Sequence, residues 1–88
     1  MEHLYVLNAT TENSMRVLQR MASIFSRHRL NIEKLNVNEI GNTGISHFTI
    51  MIHGTEKKVQ RVLNQLNRIV ELLEVNVTNK LPTLKISS

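Results

Sequence analysis

The side chains able to do chemistry in this chain are four histidines and seven glutamates; there is no aspartate and no cysteine. Without thiols, disulfides, Cys-ligated zinc, iron–sulfur clusters and cysteine nucleophiles are excluded. Glu71 and Glu74 fall on a predicted strand whose alternation sends them to different faces, so they do not form a paired-carboxylate site. His47 and His53 share a strand face but lie six residues apart, about 20 Å at strand rise, too far to chelate one ion. His3 opens the first strand and would neighbour His53 if the two strands pair antiparallel, the one arrangement offering a two-histidine site. Phosphate-loop glycine patterns are missing. What remains is Glu12-Asn13-Ser14-Met15-Arg16-Val17, where a strand gives way to a helix. Free N–H groups at a helix start can seat a small carboxylate. An ordinary N-cap by Asn13 or Ser14 explains the same residues.

Eighty-eight residues, 41% hydrophobic and 20% charged, make one ordinary globular domain with a modest core. The longest apolar run, Leu4 to Leu7, is far short of the ~20 residues that span a bilayer. Met1-Glu2-His3 lacks a secretory n-region, so a cytoplasmic address is expected. Eleven Lys and Arg against seven Glu give a net charge of +4, which favours an acidic partner. The cations are dispersed, as on solvated helix faces. RNA-binding platforms stack bases on several rings; this chain has Tyr5, Phe25 and Phe48 only, with Phe25 in a helical apolar stripe and Phe48 on an apolar strand face.

Leu4-Tyr5-Val6-Leu7-Asn8-Ala9 reads as a central strand, apolar on both faces. The polar run Thr10–Ser14 follows, with Asn13 and Ser14 as N-cap candidates. Val17, Leu18, Met21, Ala22 and Phe25 then repeat at three- and four-residue spacing, an amphipathic helix ending near Arg27-His28-Arg29. From Asn31, Leu35 and Val37 alternate with Lys34, Asn36 and Asn38, an edge-strand pattern. Gly41-Asn42-Thr43-Gly44 makes a hairpin loop. Phe48, Ile50 and Ile52 point one way on the third strand; His47, Thr49, Met51 and His53 point the other. Gly54-Thr55 caps a second helix with a stripe of Val59, Val62, Leu63 and Leu66. A fourth strand runs from Ile69 to Thr78 through Leu73, Val75 and Val77. The order β-α-β-β-α-β predicts an α+β ferredoxin-like sandwich: a four-stranded antiparallel sheet, order 4-1-3-2, with both helices on one face. Residues 1–79 form this domain, and 80–88, with Pro82, Leu81, Leu84 and Ile86, a short tail.

Glu12-Asn13, Ile24 to Val37, Gly44 to Ile50 and Gln65 to Val75 resemble the ACT domain of acetohydroxyacid (acetolactate) synthase small subunits, over about residues 3 to 78. The resemblance implies a non-catalytic regulatory chain. Such a chain activates a large subunit that carries thiamine diphosphate, Mg and FAD, in branched-chain amino acid biosynthesis, and needs no cofactor of its own. It also implies a homodimer, with valine or a related amino acid bound between the helix-start loop of one chain and the second strand of the other. The matching positions are Asn13, Ser14, Met15, Arg16 and Val17 on the loop, and Asn31 and Ile32 on the strand. Feedback-sensitive members carry glycine where this chain has Arg16, so valine inhibition is expected to be weak or absent. Long members have a second domain beyond the point where this sequence stops.

Two other readings share the fold: an amino-acid sensor serving a different enzyme, and a basic RNA-binding domain. From the edge strand follows the expectation of a dimer, with Leu35 and Val37 facing the helices and Ile32 in the contact. From the helix-free sheet face, with Met51 at its middle, follows the expectation that the catalytic partner docks there or on the tail.

Overall fold

Strict alternation of large apolar residues with polar ones fixes the sheet. In the computed structural model, residues 2–79 are described; β1 (Glu2–Glu12), β2 (Asn31–Glu39), β3 (Ile45–Thr55) and β4 (Leu72–Asn79) join helices α1 (Ser14–Arg27) and α2 (Glu56–Leu66) in the order β1-α1-β2-β3-α2-β4. The strands form one antiparallel sheet, β2-β3-β1-β4, which is the expected topology. β1 and β3 pair over eleven residues without a slip, from Glu2 opposite Thr55 to Glu12 opposite Ile45. Tyr5, Leu7, Ala9, Phe48, Ile50 and Ile52 thereby face the helices and are buried with Val17, Met21, Ile24, Phe25, Val59, Val62 and Leu66. The tail lies outside the described residues, and with it the expectations placed on Leu81, Leu84 and Ile86.

The helix ends follow local rules. Thr55 accepts a hydrogen bond from the Lys58 amide at 3.2 Å, the N-cap expected for α2. At the end of α1, Arg29 donates to the Ser26 carbonyl and Leu30 to that of Phe25, with Arg29 in the left-handed region at φ 57°. This is a Schellman closure, and Leu30 and Phe25 supply its apolar contact inside the core. Glycine is the residue that takes this conformation without a Cβ clash.

Four expectations are corrected. The first strand does not stop at Ala9: β1 continues to Glu12, and Thr11 is fully buried, its hydroxyl 3.0 Å from the Glu71 carbonyl oxygen and 2.9 Å from that of Glu12. Ala22 is exposed, and Ile24 takes a place in the buried stripe instead. Leu73 does not join the core. The β1–β4 register shifts between Thr10 and Thr11, so Leu73 is an extra residue, half exposed, while Leu72, Val75 and Val77 pack inward. Ile69 lies in the turn before β4, not on it, yet its side chain is buried. A matching shift between Ile32 and Lys34 makes Glu33 the extra residue of β2. That bulge lets Ile32, three residues before Leu35, share its face, because Ile32, Leu35 and Val37 oppose the buried Ile52, Ile50 and Phe48.

Gly54 is buried within β3, and a Cβ there would collide with the Leu30 side chain. Gly54→Ala is therefore expected to cost about 1–3 kcal/mol by overpacking. In urea unfolding, combining it with Leu30→Ala should cost less than the two single changes added together.

At the other residue of this corner, Arg29→Gly should stabilise the fold by about 1 kcal/mol, by removing the left-handed penalty. A fall in the urea midpoint would mean that the Arg29 side chain outweighs its backbone cost.

Candidate functional site

The loop that opens α1 is built from its two neighbours. β1 runs out at Glu12, whose amide donates to the Glu71 carbonyl at 3.0 Å, and the buried Thr11 hydroxyl reaches the same oxygen. Asn13 then turns the chain in the left-handed region, φ 50° and ψ 63°, which asparagine tolerates better than most residues. It sits at the N-cap position, but its side chain makes no capping hydrogen bond, so neither sequence reading of an ordinary Asn13 or Ser14 cap is realised in that form. α1 has no acidic residue in its first turn to complement its positive end.

The seven singled-out residues divide sharply. Asn13 is exposed, Ser14 half-buried and Met15 is 68% exposed, all available at the helix start. Val17 is fully buried in the core, so it can offer backbone at most. Arg16 Nε lies 3.1 Å from Glu71 Oε2, with the arginine side chain 61% exposed. Glu71 precedes β4, and β4 pairs on the side of β1 away from β3 and β2. The guanidinium is thus drawn away from the β2 edge. By type and spacing Glu71 offers only half of a carboxylate pair with Glu74. Its real partner is distant in sequence and left no local pattern.

Asn31 and Ile32 do not meet the loop within one chain. Asn31 opposes His53, which opposes Leu4, and Glu12 lies eight residues further along β1. At strand rise this separates the two ends of the sheet by about 26 Å. Every residue of β2 is exposed, with Ile32, Leu35 and Val37 forming an apolar strip beside an edge that is unpaired among the described residues.

The other clusters resolve plainly. His3 opposes Gly54, so it faces the opposite side of the sheet from His53 and stacks edge-on against Tyr5 at 6.3 Å. His53 Nδ1 instead lies 3.1 Å from Glu2 Oε1. Among the described residues no three metal-ligating side chains converge. Tyr5, Phe25 and Phe48 are all in the core, so no ring is presented for stacking on bases. No described helix is long and apolar enough to cross a membrane.

A family model described as the AHAS small subunit-like ACT domain matches residues 7–74, which include the α1 loop, β2, the Glu71 turn and the start of β4. The chain belongs to this family. It is 31% identical over 81 residues to the probable acetolactate synthase small subunit of Methanothermobacter thermautotrophicus, covering 92% of this chain and 48% of that one. With the Archaeoglobus fulgidus counterpart it is 35% identical over 72 residues, covering 82% and 45%. The solved acetolactate synthase small subunit of Thermotoga maritima superposes with a TM-score of 0.72 at 29% identity, over 93% of this chain and 50% of that one. The chain thus spans about half the length of the relatives it matches. At 16% identity, the ACT domain of a Chlorobium tepidum GTP pyrophosphokinase, TM-score 0.75 over 89% and 100%, shares the fold alone.

The loop's anchors differ in worth. Thr11→Val removes a buried hydroxyl and is expected to cost about 1 kcal/mol. Glu71→Gln removes an exposed ion pair and should cost only a few tenths. Urea unfolding of both variants checks the order; a larger loss for Glu71→Gln would make the ion pair the anchor.

Proposed function

We propose that this chain is the regulatory small subunit of an acetohydroxyacid synthase, working as a homodimer that activates a separate catalytic subunit. The single observation that carries the dimer is β2, a fully exposed edge strand whose helix side is apolar. A bare apolar edge is a liability in a monomer. Two-fold pairing of β2 with its copy covers it and yields a continuous eight-stranded sheet.

The same operation completes the effector site. Antiparallel pairing sets the start of one β2 beside the end of the other, at the level of Ser46, which opposes Thr11 near the α1 loop. Asn31 and Ile32 of the partner subunit are then carried to the end of the sheet where Asn13, Ser14, Met15 and Arg16 lie. In this reading an amino acid sets its carboxylate on the helix-start amides, with Asn13 and the partner subunit's Asn31 closing on its polar groups. Arg16, in place of a glycine, denies the close backbone approach, and its charge is already engaged by Glu71. Valine feedback is accordingly weak or absent.

Catalysis belongs to the partner, with its thiamine diphosphate, Mg and FAD. The surface offered to it is the sheet face opposite the helices, where Met51 lies among Val6, Leu4, Thr49 and Lys34. Within a regulatory subunit the reading asks for no chemistry from this chain.

Reconstitution with the catalytic subunit tests the whole proposal: activity should rise on adding this chain. Val37→Glu should give a monomer by light scattering and lose activation, whereas Met51→Glu should keep the dimer and lose activation. A wild-type monomer at tens of micromolar, or activation unaffected by both changes, would overturn these assignments.

Calorimetry on the wild-type dimer should detect little valine binding, and Arg16→Gly should gain it. Micromolar binding by the wild type would show that the loop accommodates Arg16.

A further inference from the structure

Charge is sorted between the two layers of the fold. α1 carries Arg16, Arg20 and Arg27 and no acidic residue, and α2 carries Lys57, Lys58 and Arg61 against Glu56 alone. The remaining glutamates, except Glu71 in the turn, lie on strands. Within the helix layer, Arg20, Ser23, Ile24, Arg27, Gln65 and Arg68 line one groove of about 310 Å³ between α1 and the end of α2.

We propose that this groove binds a phosphate-class anion, separately from the effector loop. Three guanidinium groups, a hydroxyl and a carboxamide converge on it, and no carboxylate lines it. Among the described residues, Arg20, Arg27 and Arg68 have no acidic partner. Helix capping does not explain them either. The last carbonyls of α1 are taken by the amides of His28, Arg29 and Leu30, and those of α2 by Asn67, Arg68 and Ile69. Arg20, Ser23 and Arg27 recur at i, i+3 and i+7, one face of two helical turns, about 10 Å along the axis. That span matches an anion with two linked phosphoryl groups, and guanidinium forks suit their oxygens in pairs. The buried Ile24 side chain is the apolar part of the groove's lining. Its volume lies at the small-molecule end of binding sites, which favours a discrete anion over an extended polyanion.

Calorimetry of the full chain with inorganic pyrophosphate tests this, with an oligoribonucleotide as a second titrant. Pyrophosphate should bind saturably, and Arg20→Gln or Arg68→Gln should each weaken it about tenfold, the worth of one charge-assisted hydrogen bond. Lys57→Gln, an equal loss of charge at the opposite end of α2, should leave binding unchanged. Absence of saturable pyrophosphate binding at millimolar concentration would overturn the proposal. So would equal losses for Lys57→Gln and Arg68→Gln, or oligoribonucleotide binding that outlasts the loss of either groove arginine. Unaltered far-ultraviolet dichroism of each variant confirms that the fold is retained.

Discussion

The unbroken pairing of β1 with β3 is the constraint from which the rest of this structure follows. Eleven consecutive residue pairs in one register commit one face of both strands to the helices. Because strand side chains alternate with a period of two, a slip of β3 by one residue would send Phe48, Ile50 and Ile52 into water together. The large loss of buried area makes that slip prohibitive. The ladder also sets which end of the sheet holds the α1 loop and which holds the start of β2. Their separation in one chain is a consequence of it, and so is the approach that the proposed two-fold pairing would give them.

The sequence made the topology legible because its signals were periodic and local. Phe48, Ile50 and Ile52 alternate cleanly, Val59, Val62 and Leu66 recur at helical spacing, and Thr55 stands where a cap should. The misreadings occur where spacing is broken by one residue. Leu73 looked like a core position because strict alternation from Val75 demands it, yet the bulge passes that role to Leu72. Thr11 falls outside the strand expected from sequence because its type is polar, although a single satisfied hydroxyl can be buried at small cost. At the candidate site, the loop and its residues were legible through the family resemblance. The Arg16–Glu71 pair was not, since it joins residues far apart in sequence across the turn before β4.

That pair and the Thr11 hydroxyl tie the opening of α1 to the approach of β4. The loop residues are therefore not a free hinge on the surface. Movement of Asn13 or Met15 on ligand binding would be felt at the β1–β4 ladder, where Glu12 and Thr11 both reach the Glu71 carbonyl. The β4 edge of the sheet and the α1 loop thus share one hydrogen-bonded anchor.

The bulge at Leu73 bears on how far such sheets can grow. In the proposed pairing of β2 with its copy, the outer strands of the eight-stranded sheet, among the described residues, are the two β4 strands. A flat edge of that kind would recruit further copies and propagate without end. Glu74 beside the extra residue places a charge on one face of the edge, and the bulge breaks the even ladder of donors and acceptors that a new strand needs. In the proposed dimer one edge of the domain serves for closure, and the other, through its bulge and its charge, offers polymerisation no even template.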